Sequence, residues 1–92
     1  MSLGGKQKMN EEKLQKKLAK RIKYLRIEKG LTNYELAYES AVPLTTLMHI
    51  LDGTTMNPGV FTVLKICDGL GVSISEFFDT DDFHELMDKS QK

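Results

Sequence analysis

The sequence predicts an all-α domain of five helices, with a short sixth able to form at the carboxyl end. Three observations predict it. Apolar residues recur at three- and four-residue spacing in each long segment. Helix-start and helix-stop residues bracket those segments. No segment alternates apolar and polar residues for long enough to make a strand. With 92 residues the chain is one domain, near the lower limit for a self-sufficient core.

Helix 1 is expected from Glu11 to about Lys29. Leu14, Leu18, Ile22 and Leu25 form its apolar stripe, lysines fill the other face, and Gly30 ends it. Thr32-x-x-Glu35 is a capping box that opens helix 2, over about 33–40, with Leu36 and Ala37 inward. The pattern breaks at Ser40-Ala41-Val42, where Val42 can plug a corner and small Ala37 permits a close helix crossing. Pro43, which has no amide hydrogen to leave unpaired, restarts it. Helix 3 covers about 43–52, with Leu47, Ile50 and Leu51 inward and Gly53 as its stop. After a loop of GTTMNPG, helix 4 runs from Val60 to Leu70, with Val60, Val63, Ile66, Cys67 and Leu70 expected inside. Ser73-x-x-Glu76 is a second capping box, and the Phe77 and Phe78 that follow can close the core.

The ends carry less information. Residues 1–10 read as an untethered leader, partly an expression remnant, 11–79 as the folded domain and 80–92 as an acidic tail or helix. In that tail Thr80 can cap a sixth helix with a narrow stripe of Phe83, Leu86 and Met87. Packing on its own domain, contact with a second copy and fraying all remain open for that stripe.

Net charge is zero, yet it is unevenly spread. Residues 1–30 hold ten Lys/Arg against three Glu, whereas residues 66–92 hold two Lys against seven acids. Such a chain can turn a basic end toward phosphate. No apolar run approaches the roughly 18 residues that span a membrane, so no membrane association is expected and a cytoplasmic location follows by default. Cys67 is the single cysteine and sits on an apolar helix face, which marks it as core filler and excludes an internal disulfide. Neither His49 nor His84 has partners at ligand spacing, so no metal or other cofactor is expected. No nucleophile, base or phosphate-loop grouping suggests an enzyme.

The two helices between Thr32 and Gly53, joined by a turn bearing one apolar residue, have the layout of a helix-turn-helix. The longer stretch LAKRIKYLRIEKGLTNYELAYESAVPLTTLMHILDGTTMNPGVFTVLKICDGLGVSISEFF resembles the Cro/cI-type helix-turn-helix family of phage repressors and bacterial regulators, also called XRE. The likeness spans Leu18 to Phe78 and rests on many short motifs in the right order. It implies a compact, five-helix, lambda-repressor-like domain. It also implies a protein that binds double-stranded DNA at palindromic operators as a homodimer and regulates transcription, commonly as a repressor.

By the same resemblance, Asn33 falls where many members touch a phosphate. Helix 3 becomes the reading helix, with Leu44, Thr45, Met48 and His49 outward and Thr46 near its start. Thr54, Thr55 and Asn57 lie in a second backbone-clamping segment. Threonine hydroxyls and methyls, the Leu44 side chain and the His49 ring all suit base edges or phosphates. Arg21, Lys20 and Lys23 are the expected cations. Some positions depart from the pattern. The reading helix has no Arg, Lys, Gln or Asn, Ala41 stands where the turn commonly has Gly, and Leu51 replaces a Glu that would pair with Arg26. Two rivals follow from these departures. One is an antitoxin-like DNA-binding protein whose acidic tail meets a protein partner. The other is a protein-interaction module that keeps the fold without specific DNA binding.

Overall fold

The computed structural model describes residues 10–87. These form α1 (Glu11–Glu28), α2 (Asn33–Ser40), α3 (Leu44–Asp52), α4 (Val60–Leu70), α5 (Ile74–Phe78) and α6 (Asp81–Met87), with no strand among them. The expected leader, apart from Asn10, and the end of the tail lie outside the described residues.

Local chemistry explains most boundaries. Asn10 caps α1, its Oδ1 accepting from the Lys13 amide at 3.0 Å. The capping box of α2 is complete: Thr32 Oγ1 accepts from the Glu35 amide at 3.0 Å, and Glu35 Oε1 accepts from the Thr32 amide at 2.8 Å. The second box forms by half, with Ser73 Oγ accepting from the Glu76 amide and no reciprocal bond found. A carboxylate on a five-residue helix gains little by curling back when water will solvate it.

Three helices end in the same hydrogen-bonded hook, in which the second residue past the cap reaches back over the last turn. The amides of Leu31, Val42 and Val72 donate to the carbonyls of Arg26, Ala37 and Cys67. The hook needs a left-handed residue at its bend, which is Gly30 in α1, Ala41 in α2 and Gly71 in α4. Ala41, at φ 57° and ψ 39°, is the one non-glycine among the described residues with positive φ.

The core gathers Leu18, Ile22 and Leu25 of α1, Leu36 and Ala37 of α2, Leu47, Ile50 and Leu51 of α3, and Ile66, Cys67 and Leu70 of α4. Val42 fills the corner and Phe77 closes the base. Burial raises the Cys67 thiol pKa, as expected of an inert core thiol. Ala37 is buried in that core, and α2 also meets α4 closely at Ser40 and Gly69. A Cβ on Gly69 would collide with Ser40 Oγ and come within 2.9 Å of the Ser40 amide nitrogen.

Val60 corrects the expected pattern, since 64% of it is exposed. It stands in the first turn of α4, whereas the Ser40–Gly69 crossing clasps the opposite end of that helix. Side chains also tilt toward a helix's amino end, which carries a first-turn residue past its neighbours.

Helix α6 packs on its own domain. Phe83 is buried, and Phe78 meets Phe77 and Phe83 edge-on with ring centroids 4.8 Å apart in both pairs. Asp82 clamps the helix to α1 through Lys17 at 3.1 Å and Lys20 at 3.7 Å. These ammonium groups hold the Asp82 carboxyl below the usual carboxylate range, the Lys17 hydrogen bond contributing most.

Candidate nucleic-acid interface

Helix α3 is fastened by one face and bare on the other. Leu47, Ile50 and Leu51 are buried, and the side-chain amide of Gln15 on α1 donates to the buried Ile50 carbonyl at 2.8 Å. Leu44, Thr45, Met48 and His49 share the opposite face. All four are exposed, Leu44 by 41% and Met48 by 38%. Thr46 is half-buried at the edge of that face. A turn around the short α2–α3 corner therefore leaves a rigid nine-residue helix with four side chains projecting outward.

The loop after α3 is organised rather than slack. Asp52 Oδ1 accepts from the Thr54 amide at 2.8 Å, and the Thr55 amide donates to the His49 carbonyl at 2.9 Å. The Asp52 carboxyl is held below the usual range, first by the Thr54 amide, then by the Thr54 side chain and the charge of His49. Thr54 and Asn57 are exposed on this loop and Thr55 is half-buried.

Capping sorts the helix starts into two groups. The amino ends of α1, α2, α5 and α6 each receive a side-chain acceptor, whereas α3 and α4, opening at Pro43 and Gly59, receive none. First-turn amides at α3 and α4 are therefore left for an acceptor from outside, and the loop of Thr54 and Thr55 lies between those two helices. Asn33, half-buried in the first turn of α2, takes no part in its cap. Its Oδ1 is buried without a hydrogen-bond partner.

The expected cations divide. Arg21 is committed elsewhere, because its Nε donates to the Phe77 carbonyl at 2.7 Å and a terminal nitrogen to the Glu76 carbonyl at 2.9 Å. It thus closes the carboxyl end of α5, where aligned carbonyls favour a positive charge. Arg26 donates to the Leu31 carbonyl at 2.6 Å and steadies the α1–α2 link. Lys16 and Lys23 line a groove of about 390 Å³ between α1 and the end of α3, together with Gln15, Leu51, Asp52 and Lys20, whose ammonium also pairs with Asp82 of α6 at 3.7 Å. Lys16 was missed by sequence reasoning. Its signal was the spacing of Lys16, Lys20 and Lys23 by four and three residues, which puts all three on one helical face.

Among the described residues, no group of three His, Cys, Asp or Glu side chains could hold a metal ion. No helix among them is long and apolar enough to cross a membrane.

An exposed second helix packed against a capped first one, on a four-helix core closed by α5, defines a helix-turn-helix DNA-binding domain. A helix-turn-helix family model matches residues 22–77, more than half of the chain. The chain belongs to that family, the Cro/cI-like or XRE class of DNA-binding regulators. Neither the curated proteins nor the solved structures contain a match.

Proposed function

We propose that the protein is a sequence-specific transcriptional repressor that binds a palindromic operator as a homodimer in the cytoplasm. Each copy lays α3 in a major groove, the two grooves about one helical turn apart, and blocks polymerase by occupying the site. The observation that carries this reading is the bare outer face of α3 on an otherwise buried helix. Thr45 and His49 supply the polar readout, and Leu44 and Met48 supply apolar contact with thymine methyls. Asn33, Thr46, Thr54, Thr55 and Asn57 set the register on the sugar–phosphate backbone. Lys16, Lys20 and Lys23 add positive charge beside the end of α3, the part that sequence reasoning had shared with Arg21.

Selection of bound duplexes from a random pool tests the proposal. The expected result is an enriched palindrome. The double variant Thr45→Ala/His49→Ala should abolish its shift while leaving the helical circular dichroism and melting unchanged, since both side chains are exposed. An enriched duplex that the double variant still binds would overturn the contact assignment.

A second reading draws on one observation. The exposed face of α3 contains two large apolar residues, Leu44 and Met48, and no Arg or Lys. Such a face suits a protein groove as well as a duplex. The absence of any enriched duplex, with Leu44→Asp disrupting a complex isolated from the source cells, would favour it.

A further inference from the structure

The outer face of α4 has no partner within the domain. Phe61 is 76% exposed, Val60 lies beside it, and Leu64 follows one turn on with its side chain also exposed. Met56, exposed on the preceding loop, adds to the apolar surface just ahead of the helix. Phe61 and Leu64 lie three residues apart and Val60 and Leu64 four apart, so the three make a single stripe. A first-turn phenylalanine so far in water gains nothing for the fold. We propose that this α4 face is where two copies of the chain meet, bringing two α3 helices onto one duplex. The inference rests on the DNA-binding reading above and names the surface that its dimer uses.

Charge selects a second copy as the occupant. A two-fold contact sets each surface against itself, so a face of one sign repels its own image. The exposed side of α1 carries Lys16 and Lys23, and the α5–α6 end carries Glu76, Asp79 and Asp81. The exposed tyrosines of α2, Tyr34 and Tyr38, are followed in sequence by Glu35 and Glu39. The α4 stripe has no charge of its own. Its helix continues to one exposed lysine and one exposed aspartate, Lys65 and Asp68, whose signs cancel when the face meets its copy.

The area sets the strength. Four partly exposed apolar side chains offer on the order of 400 Å² per copy, about half of what each partner buries in a stable interface. Copies should therefore associate weakly in solution and firmly on DNA, where the operator holds both at high effective concentration. The position fits as well. The stripe begins immediately after the loop of Thr54, Thr55 and Asn57, so contact there joins two backbone-clamping segments into one surface.

Two measurements on the full chain decide the proposal. In the first, Phe61→Ser, which removes the apolar ring without adding charge at the start of α4, is compared with the unaltered chain on a selected palindrome and on a duplex carrying one half-site. The expected result is unchanged affinity for the half-site, with loss of the roughly tenfold to hundredfold gain on the palindrome. Retention of that gain would overturn the proposal, as would equal weakening on both duplexes. In the second, amide shifts of the unaltered chain are followed from micromolar to millimolar concentration. Changes confined to residues 56–68 support the interface, and their absence in Phe61→Ser completes the case. Changes centred on α1, α2 or α6, or none at millimolar concentration, overturn it. Failure to enrich any duplex would defeat the DNA reading alone, and the dilution series would still decide whether α4 is a contact between copies.

Discussion

Replacing Ala41 with glycine should make the protein more stable, although it removes a methyl group and loosens the unfolded chain. Ala41 bends the hook that ends α2, at φ 57° and ψ 39°. An L-residue in this region costs about 1–2 kcal/mol, from Cβ crowding the carbonyl oxygen. Glycine escapes that cost but gives back about 0.5–1 kcal/mol through the greater freedom of its unfolded backbone. Ala41 is exposed, so little burial is lost. The balance is a gain of about 0.5–1 kcal/mol, or a melting midpoint higher by roughly 2–8 °C for a domain of this size. Thermal and urea unfolding followed by circular dichroism would measure it, and the urea slope should not change. The molecule contains its own controls. Gly30 and Gly71 bend equivalent hooks, and a Cβ on either would meet nothing within 4 Å. Gly71→Ala should therefore lose about what Ala41→Gly gains, the same conformational difference of about 0.5–1 kcal/mol read in reverse. An unchanged or lowered midpoint for Ala41→Gly would refute the reasoning, since it would mean that the left-handed bend carries no strain.

Gly69→Ala should destabilise the domain by about 1–3 kcal/mol, as overpacking does. Adding Ser40→Ala should recover only part of this, because the new Cβ would still face the Ser40 amide nitrogen at 2.9 Å and its Cα at 3.0 Å. Full recovery in the double variant would contradict the backbone contact. For Asp82, the carboxyl is lowered in the folded state, so its contribution is complete above the ordinary aspartate range near 3.9 and is lost as pH falls through the depressed value. Phe83 ring shifts should therefore report loosening of α6 under acid, and Asp82→Asn should show loosening already at neutral pH with the acid step reduced. High salt should weaken the same clamp, because the ion pairs are partly exposed.

The fold was legible wherever one residue type has one local use. Glycine at 30 and 53 and the Thr32–Glu35 box put helix ends within a residue or two of their places. Contacts across long sequence separations were not legible. Nothing local distinguishes Arg21, which closes α5, from Lys20, which remains at the rim of the α1–α3 groove. Both stand on the hydrophilic side of α1, and the arrival of α5 in three dimensions separates them. The strut from Gln15 to Ile50 was hidden for the same reason, because a glutamine near a helix start reads as solvent-facing. Val60 was misread because periodicity gives a direction from the helix axis and says nothing of where the neighbouring helix stops. The outward positions of α3 were readable as a set because its inward positions are so strongly apolar. Which of Leu44, Thr45, Met48 and His49 discriminates between bases depends on a duplex, and no residue pattern in the chain contains that information.

The Gln15 strut has a mechanical meaning. It ties the first third of the longest helix to the backbone of the third-from-last residue of α3, and the Gly53 bend lies close against the same side chain. Because the bond ends on a main-chain oxygen, no substitution in α3 can remove it. The bond therefore fixes where α3 sits along α1. The amino-terminal third of α1 and the tilt of Leu44, Thr45, Met48 and His49 toward solvent form one linkage, anchored at an atom that side-chain evolution leaves untouched.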